Sequence, residues 1–353
     1  MDNRYSSLIS DITRFLSIHD FSAIFILSDD AVAACHPTFI EELKFVCQAP
    51  IFIQKSSEEN KNLQTFENIS SWILQNHGDK GSLLINVGGG IICDLGGFVA
   101  ATYKRGISFI NIPTSLLAII DAAIGGKTGV NLNNLKNSVG TFHSPLSIFS
   151  DTVFLETLPQ DEILNGFGEM MKYALIKDAH LWDELKSCGN ISALTMNAAW
   201  IKKCIHIKKQ LVEEDFSDQH SRRILNFGHT VGHAIESYSI WQGRAIAHGH
   251  AVALGICCEA HISEMHHFLS ASQVQEIKKT ILNTFPLPNF SISDLKAIAE
   301  LTKQDKKNKG GDINVSLLKS IGEAIPNQQT DCEEIYNSLQ FLRFEIQDLK
   351  FKI

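Results

Sequence analysis

The spacing of apolar residues changes character near residue 150, and this limits the possible folds more than any single motif does. Before that point they fall in short runs rich in Ile, Val and Phe: Ser22 to Leu27, Pro50 to Gln54, Leu83 to Val87, Ser108 to Ile112 and Leu146 to Phe149. Helix-length segments and turn signals separate these runs, and strands alternating with helices predict a mostly parallel α/β sheet. After about Thr152 the apolar residues recur at the helical spacing of about 3.6. The segments are Glu162 to Ile176, Ala198 to Glu213, Thr230 to Ser239, Ala251 to His267 and Ser272 to Asn283, so this half is expected to be all-helical. The boundary is placed at Asp151, giving an α/β domain over 1–151 and a helical domain over 152–353. At about 100 to 200 residues per domain, 353 residues suit two, and the cleft where they meet is where a site is expected.

Composition narrows the class. Hydrophobic residues at 44% and charged residues at 20% exclude a disordered or collagen-like chain. The 31 basic and 39 acidic residues give a net charge of −8, and no Lys/Arg block is present, which argues against a general grip on nucleic acid. Any anionic ligand has to be held by a local pocket. The eight cysteines are scattered without a C-x-x-C pair, the start lacks a signal-peptide pattern, and no run approaches about 18 apolar residues. A cytoplasmic protein with reduced thiols and no membrane partner is the expectation.

Two glycine turns stand in the first half. Leu83 to Gly97 passes from an apolar strand through Gly88, Gly89 and Gly90 into a predicted helix. Glycines there let backbone N–H groups approach a phosphate at a helix N-terminus, which suits a dinucleotide pyrophosphate. The spacing is not G-x-G-x-x-G, because Cys93 stands at the third position, and a tight, closely packed turn is the plain alternative. The second turn, Asp121 to Gly129, carries only the G-G-K-T end of a P-loop, so a Walker motif is rejected. Lys127 and Lys136 remain as cations suited to phosphate or carboxylate, or as ordinary solvated lysines.

In the second half, His229 and His233 are four residues apart, which on a helix puts both imidazoles on one face. His248 and His250 follow. Glu169 lies in an otherwise apolar, buried helix, where an unpaired carboxylate is costly and needs a cation or metal. His, His and carboxylate with an open position is a recurrent catalytic Zn²⁺ set. The alternative is that the histidines cap helices and Glu169 pairs with Lys172 at i, i+3. Lys208, Arg222, Arg223 and Asn226 lie upstream of the histidine helix, and Asp305 to Gly311 forms a polar loop. Convergence of Arg105, Lys127, Lys172, Lys208, Arg222 and Lys306 would give this acidic chain one strongly cationic site.

Taken in order, these motifs resemble the 3-dehydroquinate synthase family of sugar-phosphate cyclases. The resembling stretches are Gly88 to Gly106, Pro113 to Ala118, Asp121 to Val130, Lys136 and Asn137, Phe167 to Tyr173, Arg222 to Glu236, and His248 with Gly249. The resemblance implies an N-terminal Rossmann-like NAD-binding α/β domain and an all-α C-terminal metal-binding domain. It implies Zn²⁺ (or Co²⁺) on Glu169, His229 and His248, with His233 as a substrate-side or proton-relay group. NAD⁺ would contact Glu58, Lys61, Gly89, Gly90, Ile91, Ile92, Cys93, Asp94, Thr114, Ser115, Asp121, Lys127, Lys136, Phe154, Leu155, Glu156 and Thr157. The substrate would meet Arg105, Lys127, Asn137, Lys172, Lys208, Arg222, Asn226 and Lys306, with Arg105 reaching across from a neighbouring subunit of a homodimer.

The implied reaction converts 3-deoxy-D-arabino-heptulosonate 7-phosphate to 3-dehydroquinate and phosphate by transient oxidation, elimination, re-reduction, ring opening and aldol closure. Departures from the pattern are Ser57, Ser115, Phe216 and His250, and none removes a ligand or substrate cation. Three rivals are weighed: a sister cyclase on another sugar phosphate, a metal-dependent polyol dehydrogenase, and an inactive ligand-binding module. The lysine, arginine and asparagine set favours 3-dehydroquinate synthase over the sister cyclase, and Glu169 in place of an aspartate disfavours the dehydrogenase. The intact Glu169, His229, His248 and Lys172 set disfavours the third.

Overall fold

The computed structural model describes residues 3–133, 135–188, 197–304 and 313–350. The chain divides into two compact units, Met1–Ile163 with Thr195–Ile205 and Leu164–Leu194 with His206–Ile353.

The first unit is built on a five-stranded parallel sheet. Its strands are β1 (Ile24–Asp29), β2 (Ile51–Gln54), β3 (Leu83–Gly88) and β4 (Ser108–Pro113), with two residues of a later strand, Ser147–Ile148, at one edge. All five predicted strands are present. β1 lies between β2 and β3, so the chain steps to one side after β1 and returns to the other, and the carboxyl ends of β1 and β3 form a topological switch point. β3 is buried along its whole length, as expected for a strand covered on both faces. Alternation splits the core accordingly. Leu83, Ile85 and Val87 pack with the Ser6–Ser17 and Pro37–Cys47 helices, while Leu84 packs with residues of the Leu63–Gln75 and Gly90–Thr102 helices.

An antiparallel ribbon of β5 (Lys127–Leu132) and β6 (Leu135–Phe142) occupies the region read as a second glycine turn. Gly129 faces Gly140 across it, and a Cβ on Gly129 would stand 2.7 Å from the Val139 carbonyl oxygen. This is a ribbon set by backbone proximity, with little of the apolar alternation that marks a strand in sequence.

The second unit is helical, with the Gln160–Lys177, His229–Trp241 and His248–Met265 helices at its centre. It departs from the all-helical expectation at one antiparallel pair, Ile313–Ser320 with Glu323–Thr330. Pro326 and a run of polar residues in the second strand hide it from pattern reading, and a two-stranded ribbon tolerates both. The central helices meet backbone to backbone at glycines. A Cβ on Gly255 would stand 2.0 Å from the Gly228 carbonyl oxygen, and one on Gly249 would stand 1.8 Å from that of Asn165. Among the described residues, no helix is long and apolar enough to cross a membrane.

Because the atom opposing Gly255 is backbone, Gly255→Ala should lower unfolding stability by about 3 kcal/mol, read as a shifted urea midpoint at unchanged slope. At Gly243 nothing lies within 4 Å and only the positive φ of 65° opposes a side chain. There the same change should cost about 1 kcal/mol.

Candidate functional site

In the second unit, every residue from Gly166 to Ile176 of the Gln160–Lys177 helix is buried, and Glu169 and Lys172 are buried with them. The next residue back, Gly168, packs on the Gly249 backbone, and this contact brings Glu169 beside His248. His229 begins its helix directly after Gly228, whose φ of 78° is one that side chains rarely adopt. Glu169 Oε1 therefore lies 3.3 Å from His229 Nε2 and 3.4 Å from His248 Nε2, while Lys172 Nζ pairs with Oε2. Both predicted pairings of Glu169, with lysine and with histidines, coexist.

Neither oxygen of this buried carboxylate completes a hydrogen bond of good geometry. The separations instead fit ligands of one ion. Bonds of about 2.0–2.2 Å in a tetrahedron place neighbouring donors roughly 3.3–3.5 Å apart. The donor nitrogens of His229, His233 and His248 all lie within 4.8 Å of one another, with His233 the exposed member.

The electrostatics keep this cluster charged. Burial would raise the Glu169 carboxyl, but Lys172 and His229 outweigh it and hold the group well below the usual carboxylate range. Burial lowers the His229 imidazole despite its carboxylate neighbour. At His248 burial also opposes charge, yet the neighbouring carboxylates of Glu169 and Glu236 push it up to about 10. Without a metal, two buried carboxylates are thus balanced by Lys172 and a protonated His248. A dication displacing that proton meets a donor set of two imidazoles and a carboxylate.

Buried acids also hold the flanking backbone in place. Glu259, absent from the sequence-level site, accepts from the backbone N–H of Gly228 at 2.7 Å and Val231 at 3.1 Å. It thereby caps the helix that carries His229. Its signal in sequence is an acid inside the apolar run from Ala251 to Ala260, the same signal that marks Glu169. Asp215 accepts from the backbone N–H groups of Gln219, His220 and Arg222. Burial raises its carboxyl, but these donors prevail and keep it below the ordinary range. The loop so formed leads into Arg222, which is fully buried and donates to the Phe216 carbonyl at 2.7 Å. Lys208 is buried and Asn226 half-buried. Lys306, with the rest of the Asp305 to Gly311 loop, lies outside the described residues.

In the first unit, the glycine turn sits at the carboxyl end of β3, beside the switch point. Gly88 is required by packing, since a Cβ would meet Ile92 at 2.6 Å. Gly89 and Gly90 are not. Their nearest neighbours would be Ser115 Oγ and Ala122 Cβ, each at an ordinary 3.4 Å, and neither glycine has a positive φ. Bare backbone at a helix N-terminus whose N-cap offers no side chain leaves room for a ligand's phosphate.

Next to this turn, Lys61 Nζ bridges Asp94 Oδ2 at 2.5 Å and Asn137 Oδ1 at 2.6 Å. Asn131 accepts from the Asn137 backbone N–H at 2.9 Å and donates to Glu58 Oε1 at 2.7 Å. Glu58, Lys61, Asp94 and Asn137 are thereby brought together, and burial raises the Asp94 carboxyl despite Lys61. Thr114 donates its N–H to the Gly88 carbonyl, and Ser115 Oγ accepts from Ala118. Ile91 is half-buried at the start of the helix, whereas Ile92 and Cys93 are buried, and burial raises the Cys93 thiol. Asp121 lies in a π-helical turn, Ala118–Ala122. Arg105, Lys127 and Lys136 are exposed. Phe154 and Leu155 are buried, with Phe154 in an aromatic cluster with Tyr5, His36 and Phe39, while Thr157 Oγ1 lies 2.8 Å from His36 Nε2. The Phe154 and Leu155 side chains belong to the core, whereas Thr157 is exposed and Glu156 lies 3.7 Å from Arg4 on the surface.

Comparison with known proteins bears on the whole chain. The family model described as 3-dehydroquinate synthase N-terminal matches residues 51–165, and the one described as 3-dehydroquinate synthase C-terminal matches residues 166–308. A 3-dehydroquinate synthase of Parabacteroides distasonis is 40% identical over 341 residues, covering 95% of this chain and 96% of that protein. In fold the chain is similar to 2-deoxy-scyllo-inosose synthase complexed with carbaglucose-6-phosphate, NAD⁺ and Co²⁺, with a TM-score of 0.80, 23% identity and coverage of 95% and 94%. It is equally similar to ValA, the 2-epi-5-epi-valiolone synthase from Streptomyces hygroscopicus with NAD⁺ and Zn²⁺ bound, with a TM-score of 0.80, 23% identity and 91% of each chain covered. Matched by both domain models and by a relative of this identity along nearly its full length, the chain belongs to the 3-dehydroquinate synthase family.

Proposed function

We propose that the protein is a 3-dehydroquinate synthase, an NAD- and metal-dependent lyase that converts 3-deoxy-D-arabino-heptulosonate 7-phosphate to 3-dehydroquinate and inorganic phosphate. The observation that carries this reading is Glu169, a buried, ionised carboxylate with two imidazole nitrogens at the separation of shared-ion ligands. Glu169, His229 and His248 would hold Zn²⁺ or Co²⁺. Gly89 and Gly90 would admit the NAD⁺ pyrophosphate, with Glu58, Lys61 and Asp94 as further contacts of the cofactor. When bound, NAD⁺ offers a reversible hydride acceptor and the dication a Lewis acid toward a secondary alcohol, so oxidation can activate phosphate elimination and be reversed afterwards.

The chain's own groups position and protect this chemistry. Arg222 presents a planar guanidinium from a fully buried stem, a match for a substrate carboxylate or phosphate. Lys172 is held over the Tyr173 ring and against Glu169, which fixes its ammonium for a substrate oxygen. Lys208 and Asn226 would add to the same grip, as would Lys127, Asn137 and Lys306. His233, exposed beside the two histidine ligands, would carry a proton on an imidazole nitrogen. Arg105 would reach the site from the partner of a homodimer. Holding the opened intermediate in one pose favours intramolecular aldol closure over escape. Eight scattered cysteines without a C-x-x-C pair suit a cytoplasmic setting.

The deciding experiment supplies the purified protein with NAD⁺, Zn²⁺ and 3-deoxy-D-arabino-heptulosonate 7-phosphate. Phosphate and dehydroquinate should appear together without NADH build-up at 340 nm. Absence of phosphate release would favour a sister cyclase, and steady NADH formation on a polyol would favour a dehydrogenase. His248→Ala should lose bound metal and turnover while NAD binding stays largely in place, and stoichiometric zinc retained by the variant would remove His248 from the ligand set. Lys127→Ala should lower kcat/KM by about 100-fold, the scale of a charge-assisted contact of about 3 kcal/mol, with an unchanged value excluding it from the site.

A further inference from the structure

We infer that Glu236 is a positioning residue of the metal centre, holding the His248 ring through Nδ1 so that Nε2 is presented to the ion, and thereby setting metal affinity. The inference rests on the metal reading proposed above. Imidazole can give a metal one nitrogen only if the other carries the proton, and whatever accepts that N–H fixes both tautomer and ring orientation.

The two histidines meet this requirement in different ways. At His229 the acceptor is backbone: Nδ1 faces the Phe227 carbonyl oxygen at 3.2 Å, and because a carbonyl only accepts, Nδ1 carries the proton and Nε2 faces Glu169. His248 lies at the start of its helix and has a side-chain partner. Its Nδ1 lies 3.3 Å from Glu236 Oε2, and its Nε2 lies 3.4 Å from Glu169 Oε1. Glu236 therefore addresses the opposite edge of the ring from the proposed ion and is not a ligand itself.

Helix geometry explains why Glu236 can do this. His229, His233 and Glu236 follow at steps of four and three, so they share the face of the His229–Trp241 helix that meets His248. The carboxylate is buried, with 4% of the residue exposed, so its charge acts in a poorly screened setting. A carboxylate acceptor raises the basicity of the imidazole more than a carbonyl does, and its negative charge favours the dication directly. His248 is thus the ligand whose donor strength is under side-chain control, and His229 is fixed by the fold.

A packing role for Glu236 predicts lower stability and unchanged metal affinity, which separates the two ideas. The holoenzyme and its Glu236→Gln and Glu236→Ala variants would be stripped with a chelator. Zn²⁺ would then be titrated back against a chromophoric competitor, and melting points recorded for the metal-free proteins. Glu236→Ala should bind Zn²⁺ about 10–100-fold more weakly. Glu236→Gln, nearly isosteric and still able to accept the Nδ1–H, should lose less affinity and melt close to the parent without metal. Zinc affinities within twofold of the parent in both variants would overturn the inference, as would a Gln variant that loses only metal-free stability. Failure of the parent protein itself to bind Zn²⁺ would overturn the underlying metal reading, and this inference with it.

Discussion

Close approach of helix backbones at glycine is the constraint on which the second unit depends. Gly168 meets Gly249, and Gly255 meets Gly228 and Gly232, at separations that no side chain could share. Each contact sits one residue from a proposed ligand: Gly168 precedes Glu169, Gly228 precedes His229, and Gly249 follows His248. The same geometry that joins the helices therefore sets the three donors at 3.3 and 3.4 Å. Ligands carried on packed helices are placed more accurately than ligands on loops, which suits a centre that must hold one ion and leave a position open.

Burial of three acids near these crossings poses one desolvation problem with three solutions. Glu169 is stabilised by Lys172 and two imidazoles, Glu236 by His248, and Glu259 by the two backbone N–H groups that would otherwise be orphans at a helix start. Only the Glu169 oxygens are left without a well-formed hydrogen bond among these three. Glu169 is thus the acid of the three that faces two imidazole nitrogens, while the other two hold the ring of His248 and the helix start at His229.

How much of this is legible in the sequence depends on where each partner lies along the chain. The parallel strands are legible because burial on both faces writes continuous apolar runs, and Glu169 is legible because an acid interrupts one. The β5 and β6 ribbon is not, since its pairing rests on Gly129 opposite Gly140, residues that carry no strand signal. Spacing alone picks out His229 and His233 as a pair, because i, i+4 is local, but it cannot choose between His233 and His248 as the partner of Glu169. That choice rests on family resemblance at the level of sequence and on distances in the fold. Glu259 carries the same signal as Glu169, but its role is not legible, and Asp215 is hidden altogether, because the partners of both are backbone N–H groups, which have no residue identity to read.

The charge distribution gives the remaining step. A chain with net charge −8 has no general attraction for a doubly anionic sugar phosphate, so recognition must come from cations placed against the average. Lys61, Lys172, Lys208 and Arg222 are all buried, and burying a cation is costly unless anions meet it. Asp94 and Glu169 already meet two of them, which preorganises those ammonium groups inside their own units before any ligand arrives. A net acidic chain whose buried Lys61 and Lys172 are already paired discriminates by position more than by attraction. Such an arrangement favours a small substrate whose carboxylate and phosphate can reach fixed points, and it gives little hold to a polyanion such as nucleic acid, which binds through surface charge.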